Sequence, residues 1–274
     1  MPFLEANGTT IHYLLDGPEA APVIAFSNGL GTTTALWDSQ VSALCGKFRI
    51  LRHDQRGHGQ SKTTPAPYSI ELLGRDLVAL LDALKIPRVH FCGLSMGGLI
   101  GQWYAIRHPD RLNSVTICNT AARIGAAPTW NARIAKVQAD GLSAIVDAVT
   151  SRWFTEPFTR KSPQTISSAR AMLLGNSADG YVACCGAIRD ADFTNAAPAK
   201  VVPTLVITGA HDLVTTPSDA KFLVRKFAGA KYVELDGGHL SNVEDADGFT
   251  RALSDFISEV EAQPWTTATV TPQE

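Results

Sequence analysis

The stretch Val89-His90-Phe91-Cys92-Gly93-Leu94-Ser95-Met96-Gly97-Gly98-Leu99-Ile100-Gly101-Gln102-Trp103-Tyr104-Ala105 decides how the rest of the chain is read. It opens on an apolar run, passes through Gly93-Leu94-Ser95-Met96-Gly97, and continues in helix-like patterning, so the order is strand, sharp turn, helix. A serine on such a turn is held in strained backbone geometry with its hydroxyl above the sheet edge, and flanking glycines leave it room. Ser95 is therefore the candidate nucleophile. G-x-S-x-G by itself is short enough to recur by chance, and the strand and helix around it supply most of the meaning.

Outward from this turn, Thr9–Leu15 alternates like a half-exposed strand, and Pro22–Phe26 and Phe48–Arg52 read as buried strands. Further apolar runs at Leu112–Cys118, Thr204–Thr208 and Lys231–Leu235 are bounded by Gly, Pro or Asp, with helical patterns between most of them. The clearest helix is Ser69–Leu84, with Ser69 as N-cap, leucines at helical spacing and Pro87 just beyond. Such alternation predicts an α/β fold with a parallel sheet and helices on both faces. It stops between Ala121 and Ala197, where Trp130–Ala139, Gly141–Phe154, Ser162–Leu174 and Tyr181–Ile188 all look helical. The expected organisation is a core of residues 1–120 and 197–262, a helical lid at 121–196 over the sheet's C-terminal edge, and a flexible tail at 263–274.

Composition removes several function classes. The chain has 274 residues, 45% hydrophobic and 18% charged, with a formal net charge of -2. That is enough for one substantial core and gives no broad basic surface for nucleic acid or an anionic membrane. No apolar run reaches the length of a membrane span, and the first residues lack the pattern of a secretion signal, so a cytoplasmic location is expected. Cys45, Cys92, Cys118, Cys184 and Cys185 lack zinc-site spacing and read as buried thiols, so no metal is expected.

A serine hydroxyl needs a base. His239, in Asp236-Gly237-Gly238-His239-Leu240 directly after the last strand run, sits where a loop would lift it above the sheet edge. The other six histidines fall within or beside elements, in a Gly-rich loop (His58) or next to the acid (His211), where structural or solvent roles suffice. The base in turn needs a carboxylate to fix its tautomer. Asp212 follows Leu205–His211, past the end of another strand, while Asn119 and Thr120 leave the alternative position after Cys118 without a carboxylate. Backbone N–H groups should stabilise the oxyanion: Met96 at the helix start, and Leu30 in Ser27-Asn28-Gly29-Leu30-Gly31.

With these residues in view, the chain resembles the α/β-hydrolase superfamily over nearly its whole length, including the order Ser95, Asp212, His239 and the R-G-x-G-x-S turn Arg56-Gly57-His58-Gly59-Gln60-Ser61. More narrowly it resembles the 3-oxoadipate enol-lactone hydrolases of aromatic-acid breakdown. That likeness rests on Ser27–Thr32, Trp37-Asp38, His53–Gly59, Trp130–Ile134, Arg152-Trp153-Phe154 and Gly180–Cys185. Asn28-Gly29 departs from the His-Gly of many superfamily members and from the Asn-Ser frequent in enol-lactonases.

The resemblance implies a mostly parallel eight-stranded sheet, a serine mechanism without cofactor or metal, and a small carboxylated lactone as substrate. Its carboxylate calls for a cation, for which Trp130 and Arg133, three apart on one helix face, are the candidates, with Arg123, Arg152 and Arg160 as alternatives. Carboxylesterases, carbon–carbon bond hydrolases of ring-cleavage products and cofactor-free perhydrolases share the same motifs, and a ligand-sensing receptor could keep the fold.

Overall fold

The structure, a computed structural model, describes residues 2–262; the expected tail, 263–274, lies outside the described residues. Two short strands start the chain: β1 (Phe3–Ala6) and β2 (Thr9–Asp16) pair antiparallel. Asn7 and Gly8 connect them at φ 48° and 73°, the pair of positive φ values that a tight hairpin turn needs. β1 was not anticipated, although Asn7-Gly8 is its signal.

Six strands follow, β3 (Val23–Ser27), β4 (Arg49–His53), β5 (Val89–Leu94), β6 (Leu112–Cys118), β7 (Thr204–Gly209) and β8 (Lys231–Leu235), all parallel to one another. The sheet order is β1-β2-β4-β3-β5-β6-β7-β8. The chain thus turns from one side of β3 to the other between β4 and β5. The loops leaving β3 and β5 diverge there, and open α/β sheets bind ligands in the crevice so formed. Every residue of β5 and β7 is buried, which is why both read as unbroken apolar runs.

Helices α1 (Asp38–Leu44), α2 (Ile70–Ala83) and α3 (Met96–Arg107) belong to the first part of the core. The Ser69 hydroxyl caps α2 by accepting from Leu72 N–H at 3.0 Å, an interaction worth about 1 kcal/mol. Between β6 and β7 lie five helices and no strand: α4 (Ala127–Asp140), α5 (Val146–Thr150), α6 (Glu156–Lys161), α7 (Pro163–Leu174) and α8 (Ala178–Asp190). α4 packs on α8, and α5 on α7. The helix expected over Gly141–Phe154 is interrupted. Gly141, at φ 74°, ends α4, and the chain turns again after α5 to bury Trp153 and Phe154.

The core closes with α9 (Pro217–Lys226), α10 (Ser241–Glu244) and α11 (Ala246–Ala262); α11 packs against α1, and α2 against α3. Four of the five cysteines are buried free thiols. Cys45 is the exception: it is half-exposed because it sits at the C-cap of α1, where the chain leaves the core. Among the described residues no helix is long and apolar enough to cross a membrane.

Candidate active site

Ser95 occupies the turn from β5 into α3 at φ 57°, ψ -110°, a conformation that costs on the order of 1–3 kcal/mol. The turn survives because its surroundings leave it no alternative. Ser95 N–H donates to Cys118 C=O at 2.9 Å, and Ser95 C=O accepts from the Thr120 hydroxyl at 2.8 Å. A Cβ on Gly97 would lie 2.1 Å from Ser27 O, so only glycine lets α3 start this close to β3.

The expected partners converge on Ser95 from separate loops. His239 Nε2 lies 3.0 Å from Ser95 Oγ, and His239 Nδ1 lies 2.8 Å from Asp212 Oδ2. Asp212 is held from several sides. Val214 N–H and Thr215 N–H donate to Oδ1 at 2.7 and 3.0 Å, while the Thr215 hydroxyl and Asn119 Nδ2 donate to Oδ2 at 2.9 and 3.0 Å. Burial pushes this carboxyl up, but the His239 imidazole and these donors outweigh it and hold the pKa at about 2. Asp212 is therefore ionised at neutral pH. His239 Nδ1 then carries the proton it donates, and Nε2 is free to accept from Ser95. All three side chains are buried, so water does not compete for these bonds.

Leu30 lies in the loop after β3, and Met96 is the first residue of α3, where its N–H has no place in the helical ladder. A Cβ on Gly29 would stand 3.6 Å from Ser95 Cβ, which puts this loop directly over Ser95. Leu30, Ser95 and His239 line a pocket together with Trp130, Arg133 and Tyr181. The space there open to the centre of a water molecule is about 40 Å³, so the pocket suits a compact ligand.

Trp130 and Arg133 thus both reach the pocket. Trp130 is buried and donates its indole N–H to Ile124 C=O at 2.7 Å. The Arg133 guanidinium lies over the Trp130 ring, 4.8 Å from its centroid, and among the described residues it makes no ion pair. Of the alternative arginines, Arg152 also lines the pocket, whereas Arg123 pairs with Asp192 and Arg160 with Glu156 on the surface. Tyr181 is fully buried; burial pushes its phenol well above the usual range, and the nearby Arg133 guanidinium offsets part of that rise.

Some contributors had little sequence signal. Asn119 stands where a carboxylate was sought; it donates instead to Asp212 Oδ2 and to Gly238 C=O at 3.2 Å, and its Oδ1 accepts from the Ser241 hydroxyl at 2.6 Å. Thr215 could have been read from the Asp-x-x-Thr spacing, which suits a side chain bonding to its own turn. Among the described residues no group of three or more His, Cys, Asp or Glu side chains is placed to hold a metal ion.

The family model for the alpha/beta hydrolase fold matches residues 22–246, and the chain belongs to that family. Within it, the chain is similar to two 3-oxoadipate enol-lactonases of Acinetobacter baylyi. One is 41% identical over 250 residues, covering 91% of this chain and 94% of the relative. The other is 37% identical over 255 residues, covering 93% and 96%. Among solved structures, an enol-lactonase from Burkholderia xenovorans superimposes with a TM-score of 0.92 at 46% identity, covering 94% of this chain and all of its own.

Proposed function

We propose that this protein hydrolyses 3-oxoadipate enol-lactone to 3-oxoadipate through an acyl-enzyme on Ser95. The observation that carries the reading is the unbroken relay from Ser95 Oγ through His239 to Asp212, facing a pocket walled by Arg133. The names of the similar enol-lactonases supply the substrate.

In the first half-reaction Ser95 Oγ bonds to the ring carbonyl carbon while His239 Nε2 takes its proton. The negative oxygen that results accepts from the N–H groups of Leu30 and Met96, each worth on the order of 3 kcal/mol. Collapse breaks the bond from the acyl carbon to the ring oxygen, and His239 returns the proton to the departing enol, which relaxes to a ketone. In the second half-reaction His239 takes a proton from water as its oxygen bonds to the acyl carbon; the bond to Ser95 Oγ then breaks while His239 returns the proton to Ser95, releasing the diacid. Arg133, held over the Trp130 ring, receives the substrate's free carboxylate.

Residues 121–196 act as the lid in this reading, and residues 1–120 with 197–262 as the core that carries the reacting groups. A cytoplasmic location fits the free thiols. The test is turnover of purified 3-oxoadipate enol-lactone beside an aryl acetate and a ring-cleavage product. A kcat/KM at least about a hundredfold higher on the lactone is expected, on the order of 3 kcal/mol of discrimination. Preference for either of the other substrates would replace this assignment with an esterase or a carbon–carbon bond hydrolase.

A further inference from the structure

An oxyanion donor is useful only if its N–H already points at the place where charge will form. The Leu30 N–H shares one planar peptide unit with the Gly29 C=O, so whatever holds that carbonyl aims the donor. The Gly29 carbonyl accepts from the Thr32 hydroxyl at 2.8 Å and from Thr32 N–H at 3.2 Å. The next peptide unit is held by Gly31 N–H, which donates to His58 Nε2 at 3.0 Å. The one after that is held by Gly31 C=O, which accepts from Asn176 Nδ2 at 2.9 Å. Three consecutive peptide planes are fixed in this way, each by a buried side chain.

These anchors come from three parts of the chain. Thr32 belongs to the loop itself, and His58 to the Arg56–Ser61 turn. Asn176 lies between α7 and α8, and its Oδ1 also accepts from Gly59 N–H at 2.8 Å, which ties the inserted helices to that same turn. The fit leaves no slack. Gly31 has φ 79°, and a Cβ there would lie 2.6 Å from Leu173 Cδ1, while a Cβ on Gly57 would lie 2.6 Å from Gly180 Cα. His58 can accept from Gly31 only while Nε2 is unprotonated, and burial, which lowers its pKa to about 4, keeps it so.

We propose that Thr32, His58 and Asn176 are positioning residues that aim the Leu30 N–H, which makes the α7–α8 part of the insertion a working part of the oxyanion site as well as a cover. The inference rests on the hydrolase reading above, in which Leu30 N–H receives the oxyanion. It concerns every ester the site cleaves, whatever the preferred substrate.

The experiment compares wild type with Asn176→Ala, His58→Phe and His58→Gln, on the enol-lactone and on p-nitrophenyl acetate. It includes the inhibition constant of a phenylboronic acid, which forms a tetrahedral adduct with serine, and thermal midpoints. Removing an oxyanion donor outright costs roughly 10²–10³ in kcat. Loosening its aim should cost less, about 10- to 100-fold in kcat on both substrates, with KM within about threefold and boronate affinity falling in step. His58→Gln, whose amide oxygen can accept from Gly31, should recover most of the loss.

Folded Asn176→Ala and His58→Phe variants with unchanged kcat and boronate affinity, or a change confined to KM, would overturn the proposal. If these variants do not fold, Thr32→Val and Thr32→Ser decide it: the same loss for valine with recovery for serine supports the proposal, and equal kcat for the two rejects it. Wild type that cleaves the aryl acetate but not the lactone sinks the substrate assignment and leaves this comparison intact. Wild type inactive on both overturns the two together.

Discussion

The Ser95–His239–Asp212 relay and the Trp130–Arg133 wall face one pocket but are held in different ways. Asp212 receives hydrogen bonds from four other donors besides His239, and each member of the relay is buried. Arg133 is half-buried and stacks on one indole, with no ion pair among the described residues. The contrast fits the roles proposed for the two groups. Reacting groups must stay within about 0.5 Å of a productive geometry, and side chains on loops leaving rigid strands can be held that well. A charge that recognises a carboxylate tolerates more freedom, and must be unpaired before the ligand arrives.

The most severe way to test that contrast is to delete from the tightly held side. Ser95→Ala should lower kcat by at least roughly 10⁴-fold in steady-state assays, because in the proposed mechanism the acyl-enzyme forms on Ser95. Asp212→Asn should cost about 10³- to 10⁴-fold, since an amide there no longer fixes the imidazole tautomer, and it places its own N–H among the donors of Asn119 and Thr215. A loss below tenfold for either would mean that the relay is structural.

Deletion from the looser side should change binding instead. Arg133→Ala is expected to raise KM for the carboxylated lactone roughly 10- to 100-fold, the size of a lost charge-assisted contact, and to change KM for a neutral aryl ester less than about threefold. Equal effects on the two substrates would remove Arg133 from carboxylate recognition and dissolve the division of labour.

How much of this was legible in the sequence follows the same line. Buried parallel strands are continuous apolar runs, so β5 and β7 with Ser95 and Asp212 at their ends could be read directly. In the insertion, the helical reading of Gly141–Phe154 held only in part: Leu142–Ala144 and Val146–Thr150 are helical, but the chain breaks between them and turns after Thr150 to bury Trp153 and Phe154. The supporting residues were the least legible. Asn176 reaches Gly31 across 145 residues of sequence, and Asn119 reaches Asp212 across 93, so no local spacing could have joined them.

Acid should also separate the two regions. Burial lowers the pKa of His53 and His58 from 6.5 to about 4, and both belong to the core. The unfolded chain therefore takes up these protons first, so stability that is fully present above pH 6.5 is lost as pH falls towards 4. From pH 7 to pH 5 each histidine should contribute a loss of roughly 2 kcal/mol, measurable by urea unfolding. His58→Gln should remove its share of that slope, whereas Arg133→Ala should leave the slope unchanged. An unaltered slope in His58→Gln would show that His58 does not carry this acid sensitivity.

The smallest expected effect sharpens the comparison most finely, because Arg152 lines the same pocket as Arg133 without being held there. Arg152 is exposed, and among the described residues it makes no ion pair. A solvated guanidinium attracts a carboxylate through a high dielectric, and ordinary salt screens what remains. Arg152→Ala should therefore raise KM for the lactone no more than about threefold at low salt. That difference should vanish near 0.5 M salt, where the Debye length is only about 4 Å, whereas the Arg133→Ala effect should persist because Trp130 shields one face of that guanidinium. If Arg152→Ala proves the more damaging of the two and its effect survives salt, the recognising cation is the one on the turn before α6, and stacking on Trp130 is packing alone.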